Sequence, residues 1–261
     1  MILKKSCFVI LCITLCIIAS NIQAYAAGKG DAQSWYLKYY TDGKQPDTPD
    51  DGRYSREYNV ISLDRSGEKS IYLTFDAGYE NGNVSKTLDI LKKHGVKGAF
   101  FILPNLIKSN PDIVQRMTDE GHLICNHTRS HKNMANIANF DEFRKELYDL
   151  EEILRTELGI EMAKYYRPPE GTYSEANLEY AQKLGYKTVF WSLAYADWDN
   201  EKQPSPEKAM KLLTSRVHPG CVMLLHPTSD TNAAILDEFI AKMKSDGYVF
   251  KSIDEFPESA S

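Results

Sequence analysis

Little in this 261-residue chain can serve as a reactive thiol, a basic surface or a nucleophile motif, and each lack removes a class of function. Of five cysteines, Cys7, Cys12 and Cys16 lie in one apolar N-terminal run. That leaves Cys125 and Cys221, each inside a strand-like apolar run, where a buried free thiol is the natural reading and a bridge is not. Positive charge is also scarce: 31 lysines and arginines face 36 acids, a net charge of −5. Removing residues 1–26, which hold Lys4 and Lys5 and no acid, takes it to −7. Such a surface suits neither nucleic acid nor anionic lipid. No Gly-x-Ser-x-Gly elbow and no phosphate-cradling glycine loop occurs, which argues against serine-nucleophile and nucleotide chemistry.

What is present begins with a leader. Lys4 and Lys5 precede an apolar run from Cys7 to Ala19 and then Ala24-Tyr25-Ala26, a small-x-small cleavage pattern. The run falls short of the roughly 20 residues of a membrane span. Residues 1–26 are expected to be a cleaved secretory signal, with export beyond the cytoplasmic membrane; an uncleaved anchor would leave the domain on the same side. Residues 27–68 read as an extension wrapping the domain: polar, aromatic-rich, with little periodicity, and broken at Gly43, Pro46, Pro49 and Gly52.

Residues 69–255 alternate regularly. Strands are expected at 70–75, 98–102, 122–126, 163–167, 187–191, 221–225 and 248–250. Helices are expected at 84–94, from 110 onward, and at 140–158, 174–184, 206–217 and 231–246. In the longest helix Phe143, Leu147, Leu150, Leu154 and Leu158 share one face. Apolar strands alternating with amphipathic helices predict an α/β fold, a parallel sheet closed or nearly closed into a barrel, with the site at the C-terminal strand ends.

Chemistry-bearing residues sit there. In Asn126-His127-Thr128-Arg129-Ser130-His131, two histidines four apart can close on one face of a turn or short helix, a spacing that suits one metal ion. Asp76 ends the first strand; helix capping is the bland alternative, but the next helix starts several residues later. Arg167, followed by Pro168 and Pro169, is unsuited to a freely solvated charge and is placed to orient Asp76 and lower its pKa. His226 ends the strand at 221–225, and a partner such as Asp197 would raise its pKa and make it a proton donor. A lone strand-end histidine is more often structural; the set as a whole describes metal-assisted hydrolysis of an acyl bond.

These residues, in this order over roughly residues 70–253, resemble the NodB-type polysaccharide deacetylases, carbohydrate esterase family 4. The resemblance implies a distorted (β/α)7 barrel and removal of N-acetyl groups from amino sugars. It implies Asp76 as base, His127 and His131 as ligands of a divalent metal (Zn, Mn or Co), Arg167 orienting the base, Asp197 tuning the acid and His226 as acid. Tyr79, Pro169 and Trp198 would line the sugar groove. Gly78-Tyr79-Glu80-Asn81-Gly82 and Gly43-Lys44-Gln45-Pro46 further resemble the spore-cortex branch, which deacetylates N-acetylmuramic acid after its peptide is removed and leads to muramic δ-lactam. That branch implies peptidoglycan strands as substrate, a muramoyl-alanine amidase as functional partner, and a monomer. The alternatives are N-acetylglucosamine in peptidoglycan or chitin-like glycans, and a non-catalytic glycan-binding homologue.

One departure matters most. Ala77 stands where the family usually has a metal-ligating aspartate, so metal binding is expected to be weak, with water, Asp76, Glu80 or Asn81 completing the shell. Ala194 stands where the family often has an acid preceding Asp197.

Overall fold

The structure, a computed structural model, describes residues 30–257. The predicted leader at 1–26 lies outside the described residues. The central element is β2 (Ser70–Ala77), which pairs in parallel with β3 (Ala99–Ile102) and β8 (Cys221–Leu225). A strand has two edges, so β9 (Val249–Lys251) shares one with β3: it pairs with Ser70–Tyr72, and β3 takes Thr74–Ala77. Beyond β3 the sheet continues through β4 (Leu123–Asn126), β5 (Tyr165–Tyr166) and β7 (Lys187–Thr188), all in parallel.

Alternation along β2 sorts its side chains. Ile71, Leu73, Phe75 and Ala77 enter the layer between sheet and helices, whereas Tyr72 packs inside the curl with Ala99, Phe101, Cys125 and Val222. The outer layer is covered by α2 (Asn83–His94), α4 (Pro111–Asp119), α7 (Pro206–Arg216) and α8 (Asp230–Ser245), joined by the short α3 (Pro104–Ser109). α5 (Phe140–Leu158) buries Phe143, Leu147, Leu150 and Leu154 as its spacing predicts. It starts at Asn139, whose side chain accepts from the amides of Asp141 and Glu142, and stops at Gly159 in the left-handed region.

Three expectations need correction. The strand expected at 187–191 is regular only over Lys187–Thr188, because the extension intervenes: the Ile61 amide donates to Thr188 and Phe190 donates to Ile61. The strand expected at 163–167 shrinks to Tyr165–Tyr166. The extension is also more than a wrap. It forms β1 (Gln33–Ser34), paired with β6 (Thr172–Tyr173), and α1 (Arg53–Tyr58), which packs against α6 (Glu175–Lys183). Ile61 pairs with Val189 and Leu63 with Cys221, while Leu193 pairs with Met223; together these bridge the gap between β7 and β8.

Gln45 clamps this seam, donating to the carbonyls of Asp64 and Pro219, both at 2.9 Å. Gly220, at φ +71°, is required there, since a Cβ would lie 1.9 Å from the Asp64 carbonyl oxygen. Both remaining cysteines are buried free thiols.

Candidate active site

Parallel strands place their C-terminal ends at one mouth, and Asp76, His127, Arg167 and His226 meet there. Arg167 is fully buried and has no freedom left. Its Nη1 donates to Asp76 Oδ1 at 2.7 Å, Nη2 to Thr74 Oγ1 at 2.7 Å, and Nε to the Val189 carbonyl at 3.0 Å, with the guanidinium 4.2 Å from the Phe101 ring centre. Thr74 and Asp76, two apart on β2, share the inward face. Burial pushes the Asp76 pKa up, but the charges of Arg167, His127 and His226 and the Arg167 hydrogen bond outweigh it and hold the carboxyl below its ordinary value.

Across the mouth, His226 and Asp197 form a second pair. The His226 ring donates from Nδ1 to Asp197 Oδ1 at 2.8 Å, and its backbone amide donates to Oδ2 at 2.8 Å. Asn232 of α8 donates to the same Oδ2 at 2.6 Å, so the fully buried carboxylate is orientated from two sides. Burial works against the imidazolium, yet the hydrogen bond and charge of Asp197, with the charge of Asp76, raise the His226 pKa. With Nδ1 committed, Nε2 is the nitrogen left for a ligand.

His127 and His131 come together by a different local structure from the one expected. No helix or regular turn carries them. Residues 127–131 form a loop with Thr128 at φ +71° and His131 at φ +51°, and the rings lie 5.0 Å apart at 72°. The loop is held from within and from outside: Thr128 Oγ1 accepts from the His131 amide, and the Ser130 amide and hydroxyl both donate to buried Glu146 of α5. His127 donates from Nδ1 to the Arg167 carbonyl at 2.9 Å, leaving Nε2 3.6 Å from Asp76 Oδ2. Burial, opposed by Asp76 and aided by His131, lowers the His127 pKa to about 4, so the ring is neutral with a free lone pair, the state a metal ligand needs.

That donor chemistry fits a divalent cation held by His127 and His131. Among the described residues no group of three or more His, Cys, Asp or Glu side chains is gathered for a metal. Ala77 is fully buried in the layer facing the helices. Glu80 is occupied elsewhere, accepting from the amides of Gly82 and Val84 at the start of α2. Asn81 donates to the Thr228 carbonyl. Cys125 lies inside the curl with its thiol pKa raised by burial, and takes no part.

The dyads open into a groove of about 680 Å³. Exposed Tyr79 and Trp198 flank it, and the Trp198 ring lies 6.3 Å from that of His226. Pro169 is not on its wall; it is buried, and Glu170 and Gly171 form the surface in its place. Ala194 and Trp191 also line it. Thr74, Glu146, Trp191 and Asn232 escaped the sequence reading. Only Thr74 carried a signal, the two-residue spacing from Asp76.

The polysaccharide deacetylase family model matches residues 64–189. A peptidoglycan-N-acetylmuramic acid deacetylase of Bacillus subtilis, PdaA, is 37% identical over 94% of this chain and 93% of its own. The chain belongs to the polysaccharide deacetylase family. It is thereby a hydrolase of N-acetyl amide bonds, of a family that works with a divalent metal. The solved structure of B. subtilis PdaA, a family 4 carbohydrate esterase, superposes with a TM-score of 0.82 at 38% identity, covering 87% of this chain and 97% of that one. The curled sheet with outer helices is thus the distorted (β/α)7 barrel. A Bacillus cereus peptidoglycan-N-acetylglucosamine deacetylase is 36% identical over 70% of this chain and 66% of its own.

Proposed function

We propose that this deacetylase removes the N-acetyl group of N-acetylmuramic acid in peptidoglycan strands whose peptide stems have been cut away. The observation that carries the reading is a base pair and an acid pair facing one groove, in a chain alignable over 94% of its length with a muramic acid deacetylase. Asp76, kept ionised by Arg167, takes a proton from a water as that water attacks the acetyl carbon. His226, kept charged by Asp197, gives its proton to the amide nitrogen as the C–N bond breaks, releasing acetate and a free amine. Arg167 and Asp197 position and tune; neither needs to touch the sugar. His127 and His131 would hold the divalent metal, which when bound supplies Lewis acidity to an acyl oxygen and eases ionisation of a water.

With Ala77 in the usual ligand position, this metal is held loosely and lost on dialysis against chelator; full occupancy after long dialysis would exclude that. The amine released lies beside the lactyl carboxylate of the same sugar, so the reaction precedes closure of a muramic δ-lactam in spore cortex and follows an amidase that strips the stem. The protein acts as a monomer, exported by its leader to the cell envelope or the spore intermembrane space.

Acetate release from strands with and without stems, with Zn²⁺, Mn²⁺ or Co²⁺ added, tests this. Release from stem-free strands alone is expected; release from neither removes the reading. A second reading, deacetylation of N-acetylglucosamine, is favoured by the groove's charge. Among the described residues no lysine or arginine lines it, and Glu170 presents an exposed carboxylate, so no cation other than the proton-donating His226 is placed to receive a lactyl group. Preferential turnover of N-acetylglucosamine oligomers would establish that reading.

A further inference from the structure

The groove wall formed by residues 170–171 and 191–195 has little regular structure of its own: it is irregular backbone between short strands. Irregular backbone needs outside partners for its polar groups, and here the N-terminal extension supplies them. The Trp35 amide donates to the Gly171 carbonyl at 2.8 Å, and its indole Nε1 donates to the Trp191 carbonyl at 2.9 Å. The same indole stacks on Phe190, with centroids 4.3 Å apart and planes 6° from parallel. Four residues on, the Tyr39 hydroxyl donates to the Ala194 carbonyl and accepts from the Ala194 amide, both at 3.1 Å, satisfying both backbone groups of a groove residue. The Tyr39 ring is braced by the Arg216 guanidinium at 4.4 Å.

The packing leaves no slack. A Cβ on Gly171 would sit 2.6 Å from the Trp191 ring and 3.4 Å from Trp35 Cβ. Neither Trp35 nor Tyr39 lines the groove, and both precede residue 64, where the family match begins. Asp76 and His226 are orientated by Arg167 and Asp197, which meet the wall only at its margins, where the Phe190 carbonyl accepts from Arg167 and Tyr195 donates to Asn232. Loosening the wall at Trp191 and Ala194 breaks neither bond and alters the surface that meets the glycan.

We infer that Trp35 and Tyr39 are positioning residues that set glycan-strand recognition: they hold the wall of residues 170–171 and 191–195 against which sugars flanking the reacting residue pack. The inference rests on the reading that the groove takes a glycan strand. Tyr39→Phe removes both bonds to Ala194 and keeps the ring; Trp35→Phe removes the bond to Trp191 and keeps an aromatic on Phe190. Each is compared with the wild-type protein for KM and kcat on stem-free peptidoglycan strands and on N-acetylglucosamine oligomers of increasing length. Metal affinity is read by equilibrium dialysis with Co²⁺, and folding by thermal melting.

The expected result is a KM raised threefold or more on long strands, a smaller rise on the shortest oligomer, and kcat and Co²⁺ affinity each within threefold of wild type. A KM within threefold at every length, or a fall in kcat with unchanged KM, overturns the inference. If Trp35→Phe fails to fold, Tyr39→Phe decides by the same thresholds. Wild-type activity on the oligomers but not on muramic strands would sink the muramic acid reading and leave this inference to be judged on the oligomers. Should neither turn over, the same threefold threshold is applied to calorimetric binding of the strands.

Discussion

The two halves of this site are built with unequal thoroughness. The proton-transfer half is wired into the barrel: Arg167 spends its hydrogen-bonding capacity on Asp76, Thr74 and two carbonyls, and Asp197 is held by His226 and Asn232. The metal half has two imidazoles on a loop with left-handed residues, and His131 is exposed. The first half owes its order to buried charge, where a missing partner costs several kcal/mol. The second owes its order to the His131–Thr128 bond within the loop and to hydrogen bonds from outside it, chiefly those of Glu146. Disturbing the first should therefore change proton transfer, and disturbing the second should change metal affinity.

The largest effect is expected at the base. Asp76→Asn should lower kcat by about 10³- to 10⁴-fold while the melting curve stays cooperative; activity retained within tenfold would mean that another group takes the proton. The same variant tests the glycan-binding alternative, since a protein that only binds would keep its biological effect. Next comes the acid. Asp197→Asn should cut kcat by about 10²-fold and reshape the pH profile.

In the wild type the acid limb of kcat/KM is expected below the usual carboxylate range, because Asp76 is lowered, and the alkaline limb above 6.5, because His226 is raised. Activity is lost as pH falls through the first and as it rises through the second. Without the Asp197 charge, burial of His226 prevails and the alkaline limb should drop below 6.5. An unmoved limb would separate Asp197 from the acid.

Smaller effects are expected in the metal half. Glu146→Gln leaves Ser130 with fewer acceptors and should weaken Co²⁺ binding about tenfold, with activity restored by added metal. Weakened activity that excess metal cannot rescue would mean that the loop serves something other than the cation. The smallest is Trp198→Ala on the groove rim, expected to raise KM a few-fold, about 1 kcal/mol of lost sugar stacking, with kcat unchanged.

Much of the proton-transfer half was legible because parallel strands gather their C-terminal residues whatever the loops do, so Asp76, Arg167 and His226 could be placed from strand ends alone. The histidine loop was legible in identity but not in geometry. A four-residue spacing suggests one face of a turn or helix, whereas Thr128 and His131 adopt positive φ in a loop that Glu146, on another element, receives through Ser130. Pro169 was misplaced for a related reason: Glu170, at φ +59°, turns the chain so that the proline faces inward.

By itself the sequence determined the alternating strands and helices, the inward face of β2 with Thr74 and Asp76, and which polar residues, Asp76, His127, Arg167 and His226, gather at the mouth. These follow from local periodicity and residue chemistry, which act over a few neighbouring positions. Tertiary structure alone decided that Asn232 and Glu146 support the two halves, and that Trp35 and Tyr39 reach Trp191 and Ala194, more than 150 residues away. Hydrogen bonds between irregular segments have no period in the chain, and only the curled sheet brings their donors and acceptors within reach.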